Sequence, residues 1–495
     1  MRPGLSVCMI VRDEEALLAG ALRSVAGVAD EIVVVDTGST DRTVEIAREF
    51  GAVVLEREWR NDFAWARNEA LARASYRWIL NLDADEELAA SSIPVLAQLK
   101  QSQAQQTGVM VRIYSRVQDY TSDGVMSNAL VRIFPNDPAI RYRGAIHEYP
   151  SLNGTAVGVH AVISTIALMH HGYADDVVAR KNKGQRNLAI SVAEVERDPG
   201  DAYNWFNLGA THLLVGDPAQ ARAALERALE ILGDRPRGFV PTALNMLAEI
   251  YAAYDRDPVR AEQAARRSLT YAPHHPDAHF QLGKALIAQR RLDEARDALL
   301  AAIENWPHAA AQFVVDEQIC RWKAQAEIAR TYSLAGDDES AAPWLELALR
   351  EAPAAKAILE NYKHLSKRLA HLALACGRRE EALSRLARVA EIGSPEASEA
   401  ALLLAGLLRD ANRPRAGVAV IDRMLGARPH DAGLWLARAT LFASLGESAE
   451  QERSLVQAFE AEPQRAALPL SAYYLEAGRL EDAAAVAARA LPGPG

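Results

Sequence analysis

In the second half of the chain, small residues and proline recur at one fixed spacing, a pattern few folds can produce. Gly283, Ala295, Ala302 and Pro307 stand 12, 7 and 5 residues apart. Ala329, Ala341, Ala348 and Pro353 repeat that spacing, as do Ala405, Gly417, Met424 and Pro429. Ala439, Gln451, Ala458 and Pro463 keep it with one small residue replaced. Pro273 to Pro307 and Pro429 to Pro463 each span 34 residues. Small side chains let two helices cross closely. Proline ends a helix because it lacks an N–H and pushes the preceding residue out of α geometry. A helix pair that cannot bury its apolar face alone must stack on copies of itself, so the pattern predicts an all-α solenoid.

The spacing resembles the tetratricopeptide repeat. Trp205-Phe206-Asn207-Leu208-Gly209 opens the first clear unit, and Ala370 with Ala382 and Ser471 with Ala483 mark weaker ones. Roughly eight units are expected over residues 201–495, with insertions near Arg235, Asp255 and Trp306 to Trp322. The helix near Ala483 to Ala490 would cap the array. Trp205, Trp435 and Tyr251 are expected in the core rather than on a ligand. The concave face of such an array suits an extended peptide or a partner helix.

Residues 1–174 read differently. Leu5–Val11, Glu31–Val35, Ala52–Leu55 and Arg77–Leu82 are apolar, strand-like runs. Helical stretches of about Glu14–Ala26, Thr43–Phe50 and one ending near Ala74 separate them. A polar helix is expected from Ser91 to about Gln106, then strands at Gly108–Tyr114, Ala129–Phe134 and within Val157–Leu168. Such alternation predicts a mostly parallel, Rossmann-like sheet with helices on both faces. A linker helix is expected over 175–200, stopping before Pro199. The run Trp78-Ile79-Leu80-Asn81-Leu82 ends in Asp83-Ala84-Asp85. In extended backbone that spacing turns both carboxylates to one side, where they suit a hard divalent cation. The position after a strand is where open α/β sheets hold ligands.

Composition narrows the classes. At 495 residues the chain exceeds one ordinary core. A net charge of −10 argues against sequence-blind nucleic-acid binding. Three scattered cysteines, Cys8, Cys320 and Cys376, fit neither a disulfide framework nor a zinc knuckle, and point to a reducing cytoplasm. The run Leu5–Val11 is too short for a signal peptide or a membrane span, and no membrane span is expected elsewhere.

Four motifs in order resemble the GT-A nucleotide-sugar domain of the family 2, mostly inverting, glycosyltransferases. They are Ser6-Val7-Cys8-Met9-Ile10-Val11-Arg12-Asp13-Glu14-Glu15, Val35-Asp36-Thr37-Gly38-Ser39-Thr40-Asp41-Arg42-Thr43, Ala66-Arg67-Asn68 and Leu82-Asp83-Ala84-Asp85-Glu86. Ile146-His147-Glu148, with His170 some twenty residues on before Gly172-Tyr173, resembles a narrower group fused to helical repeats. That group includes peptide S-glycosyltransferases of glycocin biosynthesis and flagellin or cell-surface glycosyltransferases.

The resemblance implies roles. Val11 and Arg12 would line the nucleobase site. Asp36 would bond base or ribose, and Arg67 would lie near a uracil-type ring or the phosphates. Asp83 and Asp85 would bind ribose and an Mn²⁺ or Mg²⁺ ion, with His170 as a further metal ligand. Glu148 would be the general base, with His147 as an alternative base or phosphate contact. Asp36 and Asp41 also suit a turn and a cap, Arg67 a helix surface, and Asp13, Glu14 and Glu15 a solvated helix start. The implied activity moves a sugar from a UDP-sugar to a hydroxyl or thiol of a protein or peptide acceptor recruited by the repeats. Two alternatives stand beside it: transfer to a lipopolysaccharide or cell-surface glycan, and a non-catalytic repeat scaffold. A homo-oligomer is left open, since repeat arrays self-associate through terminal helices.

Overall fold

The computed structural model describes residues 2–102, 107–119, 122–157, 159–171, 177–306, 315–352, 355–391 and 397–490. The expected boundary near 174 and the prolines Pro307 and Pro353 lie outside them. By packing, the chain forms two compact units. One is Met1–Ala335 with Leu347–Ala354, and the other is Gly336–Glu346 with Ala355–Gly495.

The first unit opens with a mixed sheet. Its strands are β1 (Arg2–Val11), β2 (Glu31–Asp36), β3 (Val53–Glu56), β4 (Tyr76–Asn81), β5 (Glu86–Leu88), β6 (Gly108–Asp119) and β7 (Ser122–Pro135). After β8 (Ile140–Arg143), β9 (Tyr149–Leu152) and β10 (Thr155–Ala156), which form a small antiparallel sheet, β11 (Val159–His170) joins the mixed sheet, and a ninth, two-residue strand at Val315–Asp316 pairs antiparallel with β7. The order is β3-β2-β1-β4-β7-β6-β11-β5. The first four strands in that order run parallel, as the strand–helix alternation predicts. β7 is antiparallel to β4 and β6, β11 is parallel to β6, and β5 is antiparallel to β11.

The two-residue period of the strands builds two cores. Leu5, Val7, Met9 and Val11 of β1 point to one face with Val34, Trp78 and Leu80. There they meet helices α1 (Leu18–Val25), α2 (Thr43–Glu49) and α4 (Ile93–Leu99). Cys8, Val33, Val35 and Ile79 point to the other face, against α3 (Phe63–Arg73). Strands buried on both faces carry near-continuous apolar runs, which is why these segments lack clean alternation.

The polar helix expected over Ser91–Gln106 is shorter. After a 3₁₀ turn at Ala90–Ser92, α4 ends at Leu99. Lys100 is drawn away to the Val28 carbonyl and Asp30. The Ser102 carbonyl accepts from Arg77 and Trp78, which turns the chain back toward β4. Residues 103–106 lie outside the described set.

α5 (Val177–Arg197) follows, and then helices alternate in pairs. In the first unit Ala202–Leu214 pairs with Pro218–Leu232, Val240–Ala253 with Pro258–Tyr271, and Pro276–Ala288 with Leu292–Glu304, before Ala324–Leu334. The chain passes between units within helix Asp338–Glu351. In the second unit Lys356–Ala375 pairs with Arg379–Glu391, Ala397–Asp410 with Pro414–Ala427, Ala432–Leu445 with Ser448–Ala461, and Pro463–Glu476 with Leu480–Ala490. The twelve-residue spacing is a helix crossing. A Cβ on Gly283 would lie 2.6 Å from Leu299 Cγ and 3.3 Å from the Ala295 carbonyl. Gly209 meets Leu225 and the Ala221 carbonyl in the same way. Tyr251 is buried, with its hydroxyl donating to Glu226. Trp205 and Trp435 are half-buried, and each indole N–H donates to the carbonyl of a proline six residues earlier.

Two predictions follow from the packing. Gly283→Val lowers unfolding free energy by about 1–3 kcal/mol in urea titrations, since the crossing must open. The second concerns Asp277, whose Oδ1 is buried without a partner. Burial, then Asp316 and Glu249, push its carboxyl up to about 8 against the pull of Lys323. An acid with a raised folded pKa favours the folded state fully only below its unfolded pKa near 3.8, and that contribution is lost as pH rises to about 8. Asp277→Asn therefore raises Tm at pH 8 by about 2 °C or more and leaves pH 4 unchanged, as checked by calorimetry.

Candidate active site

A cavity of about 850 Å³ opens at the C-terminal ends of β1 and β4. Val11, Arg12, Arg67, Asp83, Asp85, His147, Glu148 and His170 all line it. Asp36 does not. It is 3% exposed, and its carboxylate accepts from Gly38 N, Ser39 N and Ser39 Oγ. Asp36 thus shapes the loop after β2, and its neighbour Thr37 faces the cavity instead. Asp41 is likewise held by the backbone N–H groups of Thr43 and Glu15.

That loop is locked to the one after β1. Asp13 N donates to Ser39 Oγ, Thr40 N to Asp13 Oδ1, and Glu14 N to Thr43 Oγ1, at 2.9, 2.7 and 2.7 Å. Asp13 takes a left-handed φ of 52° to make this fit. The expected helix start at Glu14 is displaced to Leu18, and Asp13 and Glu14 become part of the cavity wall.

Arg67 sits at the centre, 7% exposed, on the buried face of α3. Its Nε donates to Glu148 Oε1 at 2.5 Å, Nη1 to Asn81 Oδ1 at 2.6 Å, and Nη2 to Asp83 Oδ1 at 2.9 Å. The guanidinium also lies 5.6 Å from the centre of the Tyr142 ring. One side chain therefore fixes the end of β4, the acidic turn and the loop carrying Glu148. Arg132, on β7, completes the arrangement: Nη2 reaches Asp83 Oδ2 at 2.8 Å and Glu86 Oε1 at 2.7 Å. Arg132, Asn81 and Glu86 have no role assigned from the sequence. The one available signal was a lone cation in the apolar run Leu130-Val131-Arg132-Ile133-Phe134.

The electrostatics follow from this pairing. Burial alone would raise the Asp83 carboxyl, but the charges of Arg132 and then Arg67 outweigh it and hold it well below the usual range. Burial, then the charge of Asp83, push Glu86 up to about 7 against Arg132.

The two aspartates do not lie on extended backbone. Asp83 N donates to Glu86 Oε2 and Glu86 N to the Asp83 carbonyl, closing a turn after β4. Both Asp83 oxygens face arginines, so a role as metal ligand does not fit its surroundings. Asp85 is different. β5 pairs antiparallel with β11, setting His170 opposite Glu86, and His170 Nδ1 comes 3.4 Å from Asp85 Oδ1. The His171 N–H also holds the Asp85 carbonyl. Among the described residues no group of three or more His, Cys, Asp or Glu side chains is arranged to hold a metal. Asp85 and His170 still offer an oxygen and a nitrogen side by side. That set suits a divalent cation when a ligand brings further oxygens.

Glu148 ends a turn built on Gly144 (φ 89°) and His147 (φ 53°). Ala145 anchors it, with its carbonyl accepting from Phe63 N and its N–H donating to Glu194 of α5. Glu148 Oε2 has no protein partner among the described residues. Trp59, Phe63, Arg186 and Asn187 also line the cavity, the last two from α5.

Arg132→Met should cost about 3–5 kcal/mol in denaturant titrations, because it leaves a buried carboxylate uncompensated. The loss should be larger at pH 8 than at pH 5. Removing the cation raises Glu86 further above its ordinary value, so its ionisation at high pH works against the folded state.

Comparison with known proteins places these features. Residues 6–174 match the family described as glycosyl transferase family 2. Residues 202–231, 252–312 and 367–432 match tetratricopeptide repeat families. The chain is 36% identical over 234 residues to a TPR repeat-containing protein of Synechococcus elongatus, covering 46% of this chain and 56% of that one. It is 26% identical over 218 residues to the SPbeta prophage-derived glycosyltransferase SunS of Bacillus subtilis, covering 43% and 51%. An uncharacterized glycosyltransferase of Rickettsia typhi is 42% identical over 84 residues, covering 17% and 28%. The chain spans about half the length of the first two of these relatives.

Proposed function

We propose that this chain, which joins a family 2 glycosyltransferase domain to tetratricopeptide repeats, moves a sugar from a nucleoside-diphosphate donor to a protein or peptide acceptor. The observation that carries the reading is one cavity lined by Asp85 with His170, by Asp83 and Arg67, and by Glu148. A uridine base and an Mn²⁺ or Mg²⁺ ion rest on the family resemblance. The repeats, and likeness to a protein named glycosyltransferase SunS, support a polypeptide acceptor.

In this reading Val11, Arg12 and Thr37 flank the nucleoside, and Asp83, fixed as an anion by two arginines, accepts from ribose hydroxyls. Asp85 and His170 would hold the cation, which when bound would supply positive charge to offset that of the leaving diphosphate. Glu148 takes the acceptor proton through Oε2 as the acceptor attacks the anomeric carbon. Arg67 holds Glu148 by its other oxygen and so sets where Oε2 points. Acceptor oxygen or sulfur forms the new bond to carbon, the bond to the diphosphate oxygen breaks, and the proton rests on Glu148. His147, beside this base, remains the alternative acceptor of that proton; burial holds its imidazole below its ordinary pKa against the pull of Glu148.

The test is hydrolysis of a nucleotide-sugar panel by the full chain with Mn²⁺. Asp85→Ala should reduce the rate about 10²-fold, and Glu148→Gln should block transfer to acceptor while donor binding persists. A rate equal to background in the wild-type chain for every donor would overturn the reading in favour of a scaffold.

A further inference from the structure

Outside the acidic turn, the cavity lining mixes three arginines with the carboxylates of Asp13, Glu14 and Glu148. The arginines are Arg12, Arg67 and Arg186. Arg67 is engaged by Glu148, Asn81 and Asp83. Arg12 has only a loose contact with Asp13 at 3.9 Å, with both side chains about half exposed. Arg186 forms no ion pair among the described residues. Its Nε and Nη2 donate to the neutral Asn187 Oδ1 at 3.3 and 3.1 Å, and its guanidinium lies 5.2 Å from the centre of the Phe63 ring. Phe63 is itself braced edge-on by Trp59, with ring centres 4.8 Å apart.

Arg12 and Arg186 face each other's field. Arg186 is exposed at the cavity, and partial desolvation, then the charge of Arg12, disfavour its cation. Two like charges over one void repel, and no carboxylate among the described residues relieves Arg186. An anion placed between them would. A guanidinium offers paired N–H donors matched to phosphate oxygens, and two of them match the two charges of a diphosphate. Most carboxylates of the cavity are already engaged: Asp83 and Glu148 pair with arginine, Asp85 faces His170, and Asp13 accepts from Thr40 N.

We propose that Arg186, with Arg12, forms a clamp for the diphosphate of the donor. The clamp rests on the donor reading above and adds a residue from outside the family 2 match, which ends at residue 174. Its position has a structural consequence. α5 packs on the first repeat, where Val195 and Leu188 meet Leu208, Ala224 and Trp205. The first repeat therefore helps set where Arg186 stands over the cavity, and residues 1–174 alone lack one jaw of the clamp.

The test is calorimetric titration of the full chain in EDTA, so that no cation bridges to Asp85. The probes are inorganic pyrophosphate, UDP and uridine. Arg186→Ala should weaken pyrophosphate and UDP about 10-fold and leave uridine unchanged, and Arg186→Lys should restore part of the loss. Equal pyrophosphate affinity in wild type and Arg186→Ala overturns the clamp, as does wild type binding no pyrophosphate. Failure of the donor reading looks different: pyrophosphate binds and depends on Arg186, yet no nucleoside diphosphate from a panel binds more tightly than pyrophosphate. Thermal melts of each variant show that the fold is kept.

Discussion

The buried guanidinium of Arg67 is the constraint on which the sheet domain depends. A cation taken out of water costs several kcal/mol unless each N–H finds an acceptor and the charge finds a counter-charge. Here the acceptors come from three places: the end of β4, the acidic turn after it, and the loop before β9. None can shift without leaving part of Arg67 unpaired. Arg132 binds the same turn from the opposite side, so Asp83 lies between two cations. The cavity's shape thus follows from a charge balance as much as from the apolar cores beneath it.

Much of the fold was legible because its signals are periodic. Apolar strand runs separated by helical stretches gave the parallel half of the sheet, and the 12-7-5 spacing gave the helix pairs. Both are averages over many residues, and one exception does not erase them. The site was legible only where chemistry and position coincide, as at Asp85, His170 and Glu148. It was not legible where one long-range bond decides. The carboxylate of Asp36 turned inward because Ser39 and Gly38 offered donors. α4 stopped early because Lys100 and Ser102 found partners on other elements. Arg132 stands 49 residues along the chain from Asp83, on β7, and no local pattern links them.

The same contrast runs through the acidic motif. Its spacing pointed to two equivalent carboxylates on a strand. The fold separates them, one neutralised by arginines and one beside a histidine that arrives from β11. That arrival depends on a three-residue strand, β5, pairing with the last strand of the sheet. A motif of three residues therefore carries two chemistries, and which residue has which is decided by partners far along the chain.

The interlocked loops after β1 and β2 have a consequence of their own. Side chains and backbone of 13–15 are stitched to those of 39–43 by a row of hydrogen bonds. Such a wall has little conformational freedom left to surrender when a ligand arrives, so recognition there costs little ordering entropy. Selectivity on that side then comes from fit to a surface already set rather than from a loop that closes on its ligand.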